Sequence, residues 1–421
     1  MSMQAFKYVC QYNTDYSIFQ RLYHDLAYEH FRLALSRTFV IDLCCCSGSF
    51  EIVSYLLDTK MYQVTPLALD NAASFGHLEI VKLLLPLVDC TNKAIDTASL
   101  NGYCQVVKIL LEAGKPYTYR AIEYASTNGH LEVVKLLHTW DGQPNRIDKH
   151  ATMTTDIAYE SNHSNTYPES YSNNPLDLAA SNGHLQVVEY LHNEKYGCSV
   201  VALDFAAKRG YHHVVDYLLD NRTEGCSSEA IDQVACTGDL EMIQKLHFRA
   251  KAPCSYRAMN NAAKYLNVVE WLSNNRQEGC NKMAMDNASA LGALDVLQYL
   301  HINRTEGCST AAMDMAAKYG QLETLIFLRT HRTEGCTAEA INGAALYNHL
   351  KIIKYLKEYC NATCTTTALN YAVTNNSIEL IQYLLNNFKV NWDFHTALDF
   401  ARSNNCSDEV FNLLDPTVNN K

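Results

Sequence analysis

Apolar residues along this chain fall on two short helical stripes that alternate without pause. From Asp177 the chain reads Leu178, Ala179, Ala180, Ser181, Asn182, Gly183, His184, Leu185, Gln186, Val187, Val188 and then Leu191. From Asp204 it reads Phe205, Ala206, Ala207, Lys208, Arg209, Gly210, then Val214, Val215 and Leu218. The first half predicts a short helix whose paired alanines admit a close neighbour. Glycine ends it, because a left-handed C′ residue costs glycine little. The second half sets Leu185, Val187, Val188 and Leu191 on one helical stripe by three- and four-residue spacings. Neither helix buries its apolar face alone, but stacked copies do.

The unit recurs with a marker, an acid or amide one or two residues before the small pair. The markers are Asp42, Asp70, Asp96, Glu123, Asp177, Asp204, Asp232, Asn260, Asp286, Asp314, Asn342, Asn370 and Asp399. Most steps span 26 to 29 residues, and the step from Glu123 to Asp177 is twice 27. A fixed period of this size predicts a solenoid, in which each unit touches its neighbours alone. Thirteen identical positions are architecture, whereas a catalytic carboxylate is normally single. The marker is expected to hydrogen-bond a neighbouring unit's backbone near a helix start, where negative charge is favoured.

These units resemble the ankyrin repeat. Pro175-Leu176-Asp177-Leu178-Ala179-Ala180 followed by Gly183-His184 is similar to that family's T-P-L-H-x-A-A-x-x-G-H, with Asp where His is usual. Thr65-Pro66-Leu67 opens another copy. The period of 27 to 28 is shorter than the family's 33. The shortfall lies between the second helix and the next first helix, where ankyrins carry a β-hairpin finger. The expectation is an all-α, ankyrin-type helix-turn-helix solenoid with shortened fingers. The chain also resembles a short-repeat subclass, abundant in protists, that carries N-R-T-E-G-C loops.

The rhythm divides the chain. Residues 1–38, with a stripe of Ile18, Phe19, Leu22, Tyr23 and Leu26, read as a capping element or worn repeat. Residues 39–138 hold about four repeats and 175–415 about nine, with a tail at 416–421. Residues 139–174 interrupt the stack as a flexible insertion or degenerate repeat, in which Ser164 to Asn174 are rich in Ser, Asn and Tyr and too polar to order themselves. One unit is clipped: Asn260-Asn261-Ala262-Ala263-Lys264-Tyr265 runs straight into Leu266 without Gly-His, so its turn must be remodelled.

Composition narrows the function. The net charge of −11 with no Lys/Arg block argues against nucleic-acid binding. No run of eighteen apolar residues spans a membrane, and Met1 to Cys10 lacks a signal pattern. The reading is a monomeric cytoplasmic protein, with the nucleus as the alternative compartment.

Candidate chemistry dissolves into the repeat. Cys44 and Cys45 stand in the small-pair slots. Cys198, Cys226, Cys254, Cys280, Cys308, Cys336 and Cys364 form a second ladder, one per unit. Packed helices lie about 8–10 Å apart, beyond disulfide reach, so these read as small structural residues. His138, His192, His247 and His301 follow the last leucine of a second helix and read as polar closures of its negative end. The loops beginning at Arg222, Arg276, Arg304 and Arg332 read as turns. No metal site, cofactor or catalytic motif is expected, and the chain is read as no enzyme.

Free positions carry the information. The two residues before the glycine slot sit on the first helix, which lines the concave face in ankyrin stacks. They include Lys208 and Arg209, Lys264 and Tyr265, Lys318 and Tyr319, and Tyr347. Tyrosine and arginine are enriched at interface hot spots. The expectation is a non-catalytic scaffold binding a protein or peptide with acidic or aromatic groups. The alternatives are a substrate-selecting adaptor, recruited to a machine such as a ubiquitin ligase through residues 1–38, and a structural spacer.

Overall fold

The computed structural model describes residues 40–59, 63–140 and 173–415. These form 26 helices and no strand. The expected fingers are reduced to short irregular connections. The described residues fall into two compact units, the first ending at Cys226 and the second beginning at Ser227.

In the first unit the helices pair as α1 (Val40–Ser47) with α2 (Phe50–Asp58), α3 (Pro66–Ser74) with α4 (Leu78–Leu84), α5 (Lys93–Leu100) with α6 (Cys104–Glu112), α7 (Arg120–Thr127) with α8 (Leu131–Thr139), α9 (Pro175–Ser181) with α10 (Leu185–Asn193), and α11 (Val200–Lys208) with α12 (His212–Asn221). The second unit pairs α13 (Ser228–Val234) with α14 (Leu240–Phe248), α15 (Tyr256–Asn261) with α16 (Leu266–Asn275), α17 (Lys282–Leu291) with α18 (Leu294–Asn303), α19 (Thr310–Lys318) with α20 (Leu322–His331), α21 (Ala338–Leu346) with α22 (Leu350–Cys360), α23 (Thr366–Thr374) with α24 (Ile378–Asn387), and α25 (Phe394–Ser403) with α26 (Asp408–Leu414).

Within each unit the first helices pack closely on one another and the second helices more loosely. The small pair explains the difference. Ala72 and Ala73, Ala179 and Ala180, and Ala316 and Ala317 are buried, as are Cys44 and Cys45 in the same slots. The second helices bury branched triads such as Val187, Val188 and Leu191. Residues 139–174 are the segment read from sequence as an insertion or degenerate repeat. Most of that segment lies outside the described residues, but α7 packs directly on α9 and α8 on α10. His138 on α8 reaches Glu194 at 2.8 Å and the Tyr196 hydroxyl at 3.2 Å.

The turn after most first helices is a Schellman motif. In the α3 copy, the His77 N–H donates to the Ala72 carbonyl and the Gly76 N–H to the Ala73 carbonyl. The left-handed residue is glycine in most repeats, and Asn348, Asn376 and Asn405 near the C-terminus. The same glycine does a second job. A Cβ on Gly102 would stand 2.5 Å from the His130 ring of the next repeat, which lies flat across it. That ring's Nε2 meets the Leu100 carbonyl at 3.1 Å. His77 and His184 treat the Cys46 and Thr127 carbonyls the same way. The G-H pair therefore closes one repeat's helix end with the following repeat's imidazole.

Candidate functional site

The marker residues tie repeat to repeat. Asp70 accepts the Thr91 N–H at 2.9 Å and its hydroxyl at 2.7 Å. Thr91 Oγ1 in turn accepts the Lys93 N–H at the next helix start. Asp96 does this with Thr118, Asp177 with Ser199, Asp232 with Ser255, Asp286 with Ser309 and Asp314 with Thr337. Asn260 and Asn342 make an amide version with Asn281 and Thr365. Asp42 keeps only the hydroxyl bond, from Thr65 at 2.8 Å, and its buried Oδ1 has no partner. Three further markers depart. Asp399 is exposed beside Arg402. Asn370 leaves its buried Oδ1 without a partner, because the next repeat caps itself through Asp393 and Thr396. Burial pushes the Glu123 carboxyl up to about 7, with Arg120 opposing and Asp96 adding to the shift.

The cysteine ladder is chemically quiet. Burial pushes the Cys90, Cys254, Cys280, Cys308, Cys336 and Cys364 thiols up to about 11, so they stay protonated near neutrality. The Arg-x-Glu loops are closed on themselves. Arg222 pairs with Glu224 at 2.5 Å, Arg276 with Glu278 at 2.7 Å, Arg304 with Glu306 at 2.5 Å, and Arg332 with Glu334. The Arg304 guanidinium also lies over Gly279 of the preceding loop.

The histidines do more than close a helix. His138 sets its ring edge-on to Tyr190 of the next repeat, His192 to Tyr217, His247 to Trp271 and His301 to Phe327. Arg276 Nη1 lies 3.0 Å from His247 Nδ1, which fixes that nitrogen as the acceptor. This aromatic rung was readable in sequence and was missed: Trp271, Tyr299, Phe327, Tyr355 and Tyr383 recur every 28 residues.

The seven candidate residues do not form one set. Lys208 and Arg209 belong to the first unit. Lys208 is exposed, with Nζ 5.7 Å from the centre of its own helix's Phe205 ring. Arg209 is engaged in stacking: Nη1 donates to the Ser181 carbonyl and to Asn182 Oδ1, both at 2.7 Å. In the second unit Lys264 is exposed. Tyr265 occupies a different slot from the one assigned to it. It is the residue preceding α16, and its ring lies across Gly238, where a Cβ would come within 2.5 Å. It thus stands where His77 and His130 stand in their repeats. The clipped turn hid this, because deleting Gly-His shifts the residue count.

The remaining three are joined by a fourth. Leu291, Tyr319 and Tyr347 sit at equivalent positions at the ends of α17, α19 and α21, and are 54%, 47% and 52% exposed. The Tyr319 and Tyr347 ring centres are 6.1 Å apart, inclined by 32°. Lys318 Nζ stands 5.4 Å from the Tyr319 centre. The arrangement offers a half-exposed apolar row with a cation beside it. Among the described residues, no group of three or more His, Cys, Asp or Glu could hold a metal ion.

Stacked helix-turn-helix pairs, bonded repeat to repeat through a marker carboxylate and a capping hydroxyl, define a repeat protein. The family described as ankyrin repeats (3 copies) matches at residues 6–96, 69–148, 95–204 and 341–421, more than half the chain, and the chain belongs to that family. No curated protein matches it. Ankyrin repeats are interaction scaffolds and generally non-catalytic. Among the described residues no helix is long and apolar enough to cross a membrane.

Proposed function

We propose that this protein is a non-catalytic scaffold that holds a segment of a partner protein on the first-helix face of its second unit. The observation that carries this is the row Leu291, Tyr319 and Tyr347 on three successive first helices, each about half exposed. Exposed aromatic side chains on a rigid surface are the usual anchors of an interface. They supply contact area at small conformational cost, so a few of them set affinity rather than total buried area. The adaptor alternative rests on residues 1–38, which lie outside the described residues.

The test is affinity capture from lysate with quantitative mass spectrometry, comparing parent protein with Tyr319→Ala/Tyr347→Ala. Tyr265 is left intact because its ring supports the stack. Circular dichroism checks equal helicity. Partners captured by the parent and lost from the double variant support the scaffold on this face. An unchanged set of partners overturns it.

A further inference from the structure

We infer that the segment held on this face is acidic, with a carboxylate set against Lys318 and apolar side chains on Tyr319 and Tyr347. This rests on the scaffold reading above. The chain as a whole carries −11, which would disfavour an acidic partner, but this patch runs against that sign. Among the described residues no carboxylate is paired with Lys264 or Lys318. The acidic side chains on neighbouring first helices are already engaged. Glu229 pairs with Arg257 at 3.3 Å, and Glu339 accepts from the Asn342 amide at 3.0 Å.

Gly343 explains how Lys318 is held. Glycine inside a helix is less stable than alanine there, so its use in α21 needs a reason. A Cβ at Gly343 would stand 2.9 Å from Lys318 Cβ and 3.2 Å from its Cγ. The absence of that carbon lets α21 lie directly on the lysine's stem. The first methylenes are therefore fixed, and the ammonium is directed to the Tyr319 ring. A cation fixed before binding loses less freedom when a carboxylate arrives. A basic segment would meet Lys264 and Lys318, neither of which is paired with a carboxylate among the described residues.

The experiment is fluorescence anisotropy with the full chain and two labelled peptides. One is a short peptide of glutamate and phenylalanine. The other has lysine in place of every glutamate. The expected result is tighter binding of the glutamate peptide, weakening as salt rises. Lys318→Glu is expected to weaken it about fivefold or more, the size of one lost surface charge contact made repulsive. Gly343→Ala is expected to weaken it as well, though it alters no exposed side chain. Circular dichroism checks that both variants fold, and Lys318→Glu stands as the test should Gly343→Ala fail to. Binding of neither peptide, equal binding of both, or an unaltered Lys318→Glu variant would overturn the acidic partner. The scaffold reading fails separately, on an unchanged capture by the tyrosine variant.

Discussion

One position, the residue just after the first helix, behaves differently from repeat to repeat. After α5 and α11 in the first unit it is a polar side chain turned back on the stack, as Asn375 is in the second, whereas Phe75 after α3 is half exposed. Asn101 donates to the Ser74 carbonyl at 2.9 Å, and Arg209 to the Ser181 carbonyl. In the second unit Tyr319 and Tyr347 fill it and point outward. The same backbone slot closes the preceding repeat in one place and presents a ring to solvent in another. A solenoid keeps this freedom because the bond it gives up is a surface one, while the marker bond that holds repeats together is kept in both units.

The largest break in that comparison comes from removing what both units share. Asp314→Ala deletes two bonds from Thr337, at 2.8 and 2.7 Å, and frees the residue that caps the next helix. We expect a loss of about 1.5–3 kcal/mol in urea unfolding of the full chain, the range for hydrogen bonds to a charged acceptor. Asp314→Asn should retain most of the stability, because Asn260 and Asn342 already do this work with an amide.

A reciprocal exchange sharpens the comparison. Asn101→Tyr removes the cap on Ser74 and is expected to destabilise the chain by about 1 kcal/mol or less, the worth of one exposed hydrogen bond. Tyr319→Asn is expected to change stability by no more than about 0.5 kcal/mol, as an exposed substitution without a buried partner. Urea midpoints for the two variants test this. A larger loss for Tyr319→Asn than for Asn101→Tyr would mean the ring is structural.

A further effect, read in its pH dependence, concerns Glu123, the marker before residues 139–174. Its carboxyl holds a proton more tightly when folded, at about 7 against an ordinary 4.5, chiefly through burial. The folded chain therefore binds more protons than the unfolded one. The contribution is fully present below about 4.5 and is lost as pH rises through about 7. Glu123→Gln should match the parent in melting temperature near pH 4 and exceed it at pH 8. Equal melting temperatures at both pH values would show that burial does not strain this carboxylate.

Much of the architecture was legible before any coordinate. Apolar spacing marked the first and second helices, and the marker Asp, the small pair and the Gly-His turn set their boundaries. The candidate residues divide by where their side chains lie. Tyr319 and Tyr347 are exposed as their positions implied, whereas Tyr265 and Arg209 belong to the stack. Counting from the left-handed Gly or Asn slot located the former pair and misplaced Tyr265, whose repeat lacks that slot. Arg209 was misread for another reason, since its partners lie 27 and 28 residues earlier.

The sequence by itself determined the repeat, its period, its helix pairs and its buried positions, because these follow from local periodicity and from backbone preferences of glycine and capping residues. Tertiary structure alone decided which free side chains are bound and which are available. The marker, cap, imidazole and guanidinium contacts each join atoms one repeat apart. So does the seat of Lys318 on Gly343, on which a partner's charge would depend. Such contacts depend on how two helices meet in space, and no spacing along one helix encodes that.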